Sequence, residues 1–224
     1  MNNIINFNDL TPITVEGAEM FGSAISTLRE GGDADLRFGQ LNASGSGEGV
    51  STAATVVIVR GGRLAVAAEG QAVELAAGQA AAIGKGTVLR WRAEEAELIV
   101  IADLRAEAGP GLSGLDLQAP LGPSAGPAPA LLLSPAPECA SHGFRTGGEF
   151  TFGLWSATPY DRKPVTYGHS ELMFLLDGAV EFYTEAGESH RFEAGDIFIV
   201  LAGAEFGWRS EIPVRKLWVT CCRA

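Results

Sequence analysis

Glycines recur in this 224-residue chain in two series that lie a little over 110 residues apart. Gly62 and Gly178 are separated by 116 residues, and Gly78 and Gly195 by 117. Further pairs at similar separations are Gly39 with Gly153, Gly86 with Gly203, and Trp91 with Trp208. Self-similarity at a fixed long period indicates a duplicated domain. The spacing therefore predicts that the chain builds the same small unit twice.

The second series separates short segments with the patterns of β-strands. Residues 171–178 form an almost unbroken apolar run with one carboxylate at its start, which is typical of a strand covered on both faces. Val180 and Phe182 alternate with Glu181, as in a half-buried strand. Residues 185–187 and 194–196 read as tight turns. The chain is predicted to be all-β.

The same residues carry a family resemblance. Glu171-x6-Gly178, followed by Ala194-Gly-Asp-x-Phe-Ile-x-x-x-Gly-x4-Trp208, resembles the two sequence motifs of a cupin. Gly153-x-Trp-x-x-Thr-Pro159 makes the chain most similar to the cupin family named for the ureidoglycine aminohydrolase. The resemblance implies a jelly roll, or double-stranded β-helix. Together with the duplication, it predicts two tandem cupin jelly-roll barrels, a bicupin.

The domain boundaries follow from composition. Residues 106–137 are rich in Pro, Gly and Ala and have no helical period, so they are predicted to be a linker. Residues 1–105 would form an N-terminal cupin, and residues 138–224 a C-terminal cupin. Within the linker, Leu131–Leu133 is expected to add a strand to a sheet.

Metal-binding cupins resemble a pattern in which three histidines and a glutamate face the barrel interior. In the first copy Thr55 stands at the glutamate position, and no histidine precedes His142, so this copy is predicted to bind no metal. In the second copy Glu171 stands at that position, His169 lies two residues before it, and Phe206 replaces the last histidine. His169 and Glu171 are therefore predicted to be either a reduced metal site or a metal-free catalytic acid–base pair. The alternative is a hydrogen-bonded pair at the barrel mouth.

The residues identify no definite cofactor, and a divalent metal (Mn, Zn, Ni or Fe) in the C-terminal cupin is the one candidate. Aromatic side chains are predicted to line the same cavity and contact a ligand, with core packing as the alternative: Trp155, Tyr160, Tyr167, Phe206 and Trp208. Arg162 and Lys163 are candidates to attract an anionic ligand. His190, among charged neighbours beyond a hairpin, is interpreted as a solvated surface residue.

Charge and composition narrow the function. A net charge of −11 argues against nucleic acid or an anionic membrane as a partner. The first residues lack a signal-peptide pattern, and three cysteines suit a reducing compartment, so a soluble cytoplasmic protein is expected. Three functions remain open. The first is a bicupin that binds a small polar metabolite in its C-terminal barrel; the second is a metal-dependent enzyme resembling ureidoglycine aminohydrolase; the third is a structural or regulatory oligomer. Pairing through exposed strand edges predicts a homodimer.

Overall fold

The structure is a computed structural model that describes residues 3–16, 20–31, 35–109 and 111–221. It confirms the predicted fold class, because the described chain is built almost entirely of β-strands arranged as cupin-type jelly-roll barrels. No described helix is long and apolar enough to cross a membrane.

The elements follow one another as short strands with little helix between them. One α-helix, α1, covers Ser23–Ser26, and 3-10 helices cover Phe7–Asp9 and Pro129–Leu131. The strands are β1 (Ile4–Asn6), β2 (Ile13–Glu16), β3 (Arg29–Glu30), β4 (Leu36–Val50), β5 (Ala54–Ala68), β6 (Gln71–Ala76), β7 (Ala80–Ile83), β8 (Val88–Asp103), β9 (Leu112–Leu115), β10 (Gly122–Ser124), β11 (Cys139–Arg145), β12 (Phe150–Ala157), β13 (Tyr160–Thr166), β14 (Ser170–Asp177), β15 (Ala179–Tyr183), β16 (Ser189–Glu193), β17 (Ile197–Val200), β18 (Glu205–Ser210) and β19 (Val214–Cys221).

The chain divides into two compact units, residues 9–117 and residues 1–8 with 118–224. We call them the first unit and the second unit. In the first unit the sheet order is β2-β4-β8-β5-β7-β9, with β3 paired to β4 and β6 paired to β5. Its core is apolar throughout and includes side chains from the α1 segment, such as Ile25 and Leu28. The predicted domain bounds 1–105, 106–137 and 138–224 stay predictions.

The second unit contains two sheets. One has seven strands in the order β1-β17-β14-β19-β12-β11-β10, and the other has four in the order β13-β18-β15-β16. Aromatic and aliphatic side chains from both sheets meet in one core, which includes Met173, Phe182, Phe198 and Trp208.

The two units share part of their strand order. The order β4-β8-β5-β7-β9 in the first unit matches β12-β19-β14-β17-β1 in the second. The long strands β4, β5 and β8 of the first unit pair along most of their length, whereas their counterparts in the second unit are each divided into two shorter strands. The last neighbour differs in its place along the chain, since β9 is the last strand of the first unit, whereas β1 comes before all the other strands of the second unit. The glycine spacing therefore reports a repeated strand order.

The predicted strand at Leu131–Leu133 is wrong. Its first residue ends the 3-10 helix Pro129–Leu131, and only an isolated bridge joins Leu132 to Arg162. Pro129 at the start of the helix explains the difference, because proline is well suited to the first helical turn. The linker residues nevertheless supply two strands elsewhere, β9 and β10.

Candidate functional site

Strand β14 sets the direction of the predicted His–Glu pair. Side chains alternate across a strand, so Glu171, Met173 and Leu175 share one face. Met173 and Leu175 belong to the core of the second unit, which places Glu171 on the inner wall of the barrel. His169 lies just before the strand, and its Nε2 is 3.8 Å from Glu171 Oε2. The His169 side chain is 36% exposed and that of Glu171 only 14%, so the pair spans the opening and the interior.

The main partner of Glu171 is a residue that the sequence analysis missed. Lys216, on β19, donates a hydrogen bond from Nζ to Glu171 Oε1 at 2.8 Å, and its side chain is 9% exposed. Burial alone would raise the pKa of the Glu171 carboxyl. The charge of Lys216, with smaller help from His169, overrides burial and lowers that pKa to about 2. Lys216 contributes more than His169 to the lowering of this pKa, because Lys216 makes a full hydrogen bond to Glu171, whereas the His169 contact is too long to be one.

Three of the predicted aromatic residues form a wall around the lysine. Lys216 Nζ lies 5.1 Å from the ring centroid of Trp155 and 5.3 Å from that of Trp208, within cation–π range. Tyr160 stacks on Trp208 with centroids 5.8 Å apart, and Trp155 meets Trp208 edge to face at 5.7 Å. Ligand contact by these rings stays a prediction. Trp155 and Trp208 therefore pack against a charged group as well as against each other, and Tyr160 extends the same aromatic wall.

A second cation, Arg162, lies on the four-stranded sheet, across the barrel from the sheet that carries Lys216. Arg162, two residues after the inward-facing Tyr160, donates from Nη2 to the Tyr167 hydroxyl at 3.1 Å and from Nη1 to the Phe206 carbonyl at 3.1 Å. Burial raises the pKa of the Tyr160 and Tyr167 hydroxyls, and the guanidinium of Arg162 partly offsets this. Both phenols are therefore neutral hydrogen-bonding groups at ordinary pH. Arg162, one of the two residues predicted to attract an anionic ligand, belongs to β13.

The seven predicted site residues all lie in or at the mouth of one barrel. Tyr167 bridges the two parts of the cluster, since its ring lies 6.4 Å from that of His169 and its hydroxyl contacts Arg162. Phe206 packs edge to face on Phe182. The interpretation of His190 as a solvated residue is wrong. His190 is on β16 and pairs with Phe182 on β15. Its side chain is partly buried, and its ring centroid lies 6.0 Å from that of Phe206.

The predicted metal role of His169 and Glu171 does not fit this geometry. Catalytic metal sites generally use at least three protein ligands. Within the ranges that the structure describes, no group of three or more His, Cys, Asp or Glu side chains could hold a metal ion. Glu171 is already bound to Lys216, and Phe206 occupies the position where the cupin pattern would supply a histidine.

Several cavities have walls that include neither Glu171 nor Lys216. One of about 600 Å³ is lined by Asn3, His190, Glu205 and Phe206 among others, on the side of the barrel near β16. Larger or comparable cavities of about 740 and 510 Å³ lie along strands β4, β5, β6 and β8 of the first unit. Their walls are small and apolar side chains with scattered surface charges. The candidate site is the Glu171–Lys216 cluster, because buried and paired titratable groups are typical of functional sites.

Comparison with known proteins supports the same fold. Residues 145–218 match the family model described as an EutQ-like cupin domain. A protein of unknown function of the DUF861 family from Pseudomonas syringae pv. tomato superposes with a TM-score of 0.79 at 29% identity, covering 86% of this chain and 83% of that chain. A search of curated proteins found no match.

Two more distant structures share the fold alone. A cupin 2 conserved barrel domain protein from Leptotrichia buccalis has a TM-score of 0.58 at 10% identity, covering 83% of this chain and 82% of that chain. A salicylate 1,2-dioxygenase from Pseudaminobacter salicylatoxidans has a TM-score of 0.57 at 12% identity, covering 85% of this chain and 73% of that chain. Together with the family model, these likenesses support the cupin superfamily.

Proposed function

We propose that the chain is a bicupin whose second unit binds a small polar metabolite with an anionic end. The observation that carries the proposal is the charge of the interior cluster. Lys216 and Arg162 contribute two positive charges, and Glu171 contributes one negative charge, in a chain whose net charge is −11. An inward-facing excess of positive charge in an otherwise acidic protein favours an anionic ligand such as a carboxylate.

The surrounding side chains suit the rest of such a ligand. Trp155 and Trp208 supply apolar faces, and the neutral hydroxyls of Tyr160 and Tyr167 supply hydrogen-bonding groups. Trp208 Nε1 is buried and has no acceptor among the described residues. Trp91 Nε1 in the first unit shares that feature, so the charged groups, and not the indole, distinguish the second barrel. Apolar side chains around a few convergent polar groups are the usual lining of a small-molecule site.

The metal-dependent alternative is less well supported. An enzyme resembling ureidoglycine aminohydrolase would need more ligands than His169 and Glu171, and Glu171 is bound to Lys216. His169 remains the imidazole nearest the opening of the cluster, so its predicted acid–base role is kept as a prediction. The proposal therefore specifies binding and leaves the reaction to be measured.

The test is a ligand screen on the whole chain. Thermal unfolding is measured with small carboxylates, their neutral amides, ureides, amines and sugars, and positive compounds are titrated by calorimetry. Carboxylates are expected to raise Tm while the matched amides do not, and Arg162→Gln is expected to weaken binding about tenfold or more. Arg191→Gln is the control, because Arg191 is exposed on β16. Equal responses to a carboxylate and its amide, or no response to any compound, would reject the proposal.

A further inference from the structure

Glu171 stands where the cupin pattern would place a metal-binding glutamate, yet its carboxylate already holds a cation supplied by the chain. We propose that the ammonium of Lys216 is the resident cation of the second barrel and takes the place of a divalent metal. The inference does not depend on which ligand the barrel binds. It concerns what occupies the carboxylate of Glu171, and the site it defines is specific for a monovalent alkylammonium group.

Four groups of the barrel lie close to the ammonium of Lys216. Its Nζ is 2.8 Å from Glu171 Oε1 and 3.2 Å from Met173 Sδ. The ring centroids of Trp155 and Trp208 lie 5.1 and 5.3 Å from Nζ. One carboxylate, a thioether and two aromatic faces match an ammonium, which has three N–H donors and a single charge. They match a hard divalent cation poorly, because such a cation requires several oxygen or nitrogen ligands.

The strand register shows how Lys216 reaches this position. Lys216 pairs with Leu175 on β14 and with Trp155 on β12, whereas Glu171 pairs with Thr220. Glu171 therefore lies four residues from Leu175, about 13 Å along the strand at roughly 3.3 Å per residue. The lysine side chain follows the inner wall past Met173 to reach the carboxylate. A buried lysine is tolerated when it is paired, so the pair forms a unit.

The first unit shows that the barrel does not require this pair in order to fold. Leu98 pairs with Val59 and Leu41 in the way that Lys216 pairs with Leu175 and Trp155. Thr55 pairs with Ala102 as Glu171 does with Thr220. Leucine and threonine thus occupy the two positions in the first barrel, where both are buried. The charged pair is therefore specific to the second barrel and is not required for the jelly-roll fold.

The first experiment uses chemical rescue. Lys216→Ala removes the equivalent of a propylammonium group and leaves the Glu171 carboxylate without its cation. Tm of this variant is expected to fall, and propylammonium chloride is expected to restore several degrees of it, whereas the isosteric neutral 1-propanol and sodium chloride are not. Wild type and Arg191→Gln, in which an exposed cation is changed, are expected to show no such response. A response to 1-propanol equal to that to propylammonium would overturn the proposal.

The second experiment measures bound metal directly, so its result does not depend on whether the alanine variant folds. Wild-type protein is expected to contain no stoichiometric Mn, Zn, Ni or Fe and to show no Tm shift on adding these ions. Stoichiometric metal whose binding is lost in Glu171→Gln would overturn the proposal.

Lys216→Leu alone is expected to be less stable than Lys216→Leu with Glu171→Thr, the pair found in the first unit. A double variant no more stable than the single one would also reject it. A failed ligand screen would leave these results unaffected.

Discussion

Glu171 illustrates how one residue acquires its character from its neighbours. Its side chain is 14% exposed, and its partner Lys216 is 9% exposed, so neither charge is well solvated. Replacing the carboxylate by an amide would leave the ammonium with a much weaker acceptor. Breaking a buried ion pair from one side typically lowers the free energy of unfolding by several kcal/mol, because the remaining charge is uncompensated.

Glu171→Gln is therefore expected to lower the free energy of unfolding by about 3 kcal/mol. Urea denaturation at pH 7, followed by tryptophan fluorescence, measures the effect. Glu188→Gln is the control, since Glu188 is exposed in the hairpin after β15 and is expected to change stability by less than about 0.5 kcal/mol. Equal stability of the two variants would show that the ion pair contributes nothing.

The same carboxylate predicts an acid dependence of stability. The pKa of Glu171 is about 2 in the folded chain against an ordinary value of 4.5, so the unfolded chain binds the proton more tightly. The contribution is fully present above about pH 5 and is lost as pH falls through 4.5 toward 2; a shift of this size is worth about 3 kcal/mol. Urea titrations at pH 7, 5 and 3.5 should show a steeper decline for wild type than for Glu171→Gln. Parallel declines would contradict the assignment.

At the scale of elements, each barrel contains a sharp bend of the chain at a glycine. Gly178 separates β14 of the seven-stranded sheet from β15 of the four-stranded sheet, and its φ is +85°. A Cβ at this position would overlap the carbonyl oxygen of Pro213. Gly62, its counterpart in the first unit, has φ +68° and would overlap the carbonyl oxygens of Glu94 and Glu95. Both bends combine a left-handed backbone with close approach of a neighbouring strand, which glycine alone permits.

Gly178→Ala is expected to lower the free energy of unfolding by about 3 kcal/mol or more, since backbone strain and overlap add together. Gly187→Ala is the matched comparison, because Gly187 has φ +88° but no atom within 4 Å of a new Cβ. This change adds strain without overlap and should be worth about 1 kcal/mol. Chemical denaturation of both variants measures the difference. Equal effects would mean that the approach of Pro213 is relieved by movement of the chain.

These bends also show what sequence could predict. Gly62, Gly178 and the turns at Gly187 and Gly195 were identified because positive φ strongly selects glycine, so the local residue type reports the local backbone. Lys216 was missed for the opposite reason. Arg215 and Lys216 are adjacent in β19 and must point to opposite faces, but nothing in the strand itself says which face is inside. The ion pair depends on the register between β14 and β19, which is nonlocal.

At the scale of the whole molecule, the start of the chain belongs to the second unit. Strand β1 pairs antiparallel with β17, with Ile4 opposite Val200 and Asn6 opposite Phe198. Ile4 is 4% exposed and lies in the same core as Met173 and Phe198. Local patterning could not predict this pairing, since about 190 residues separate the partners. In the first unit β9 covers the equivalent edge of β7.

Deletion of residues 1–8 is therefore expected to destabilise the second unit selectively. It removes the cover from one edge of β17 and the buried Ile4, and an uncovered edge strand opens more readily to solvent. Hydrogen exchange followed by mass spectrometry should show loss of protection at Ile197–Val200, whereas Ala80–Ile83 in the first unit keeps its protection. Asp9→Asn, an exposed change just beyond the deletion, is the control. Uniform loss of protection in both units would show that β1 supports the whole chain, and unchanged protection at β17 would show that its pairing adds no stability.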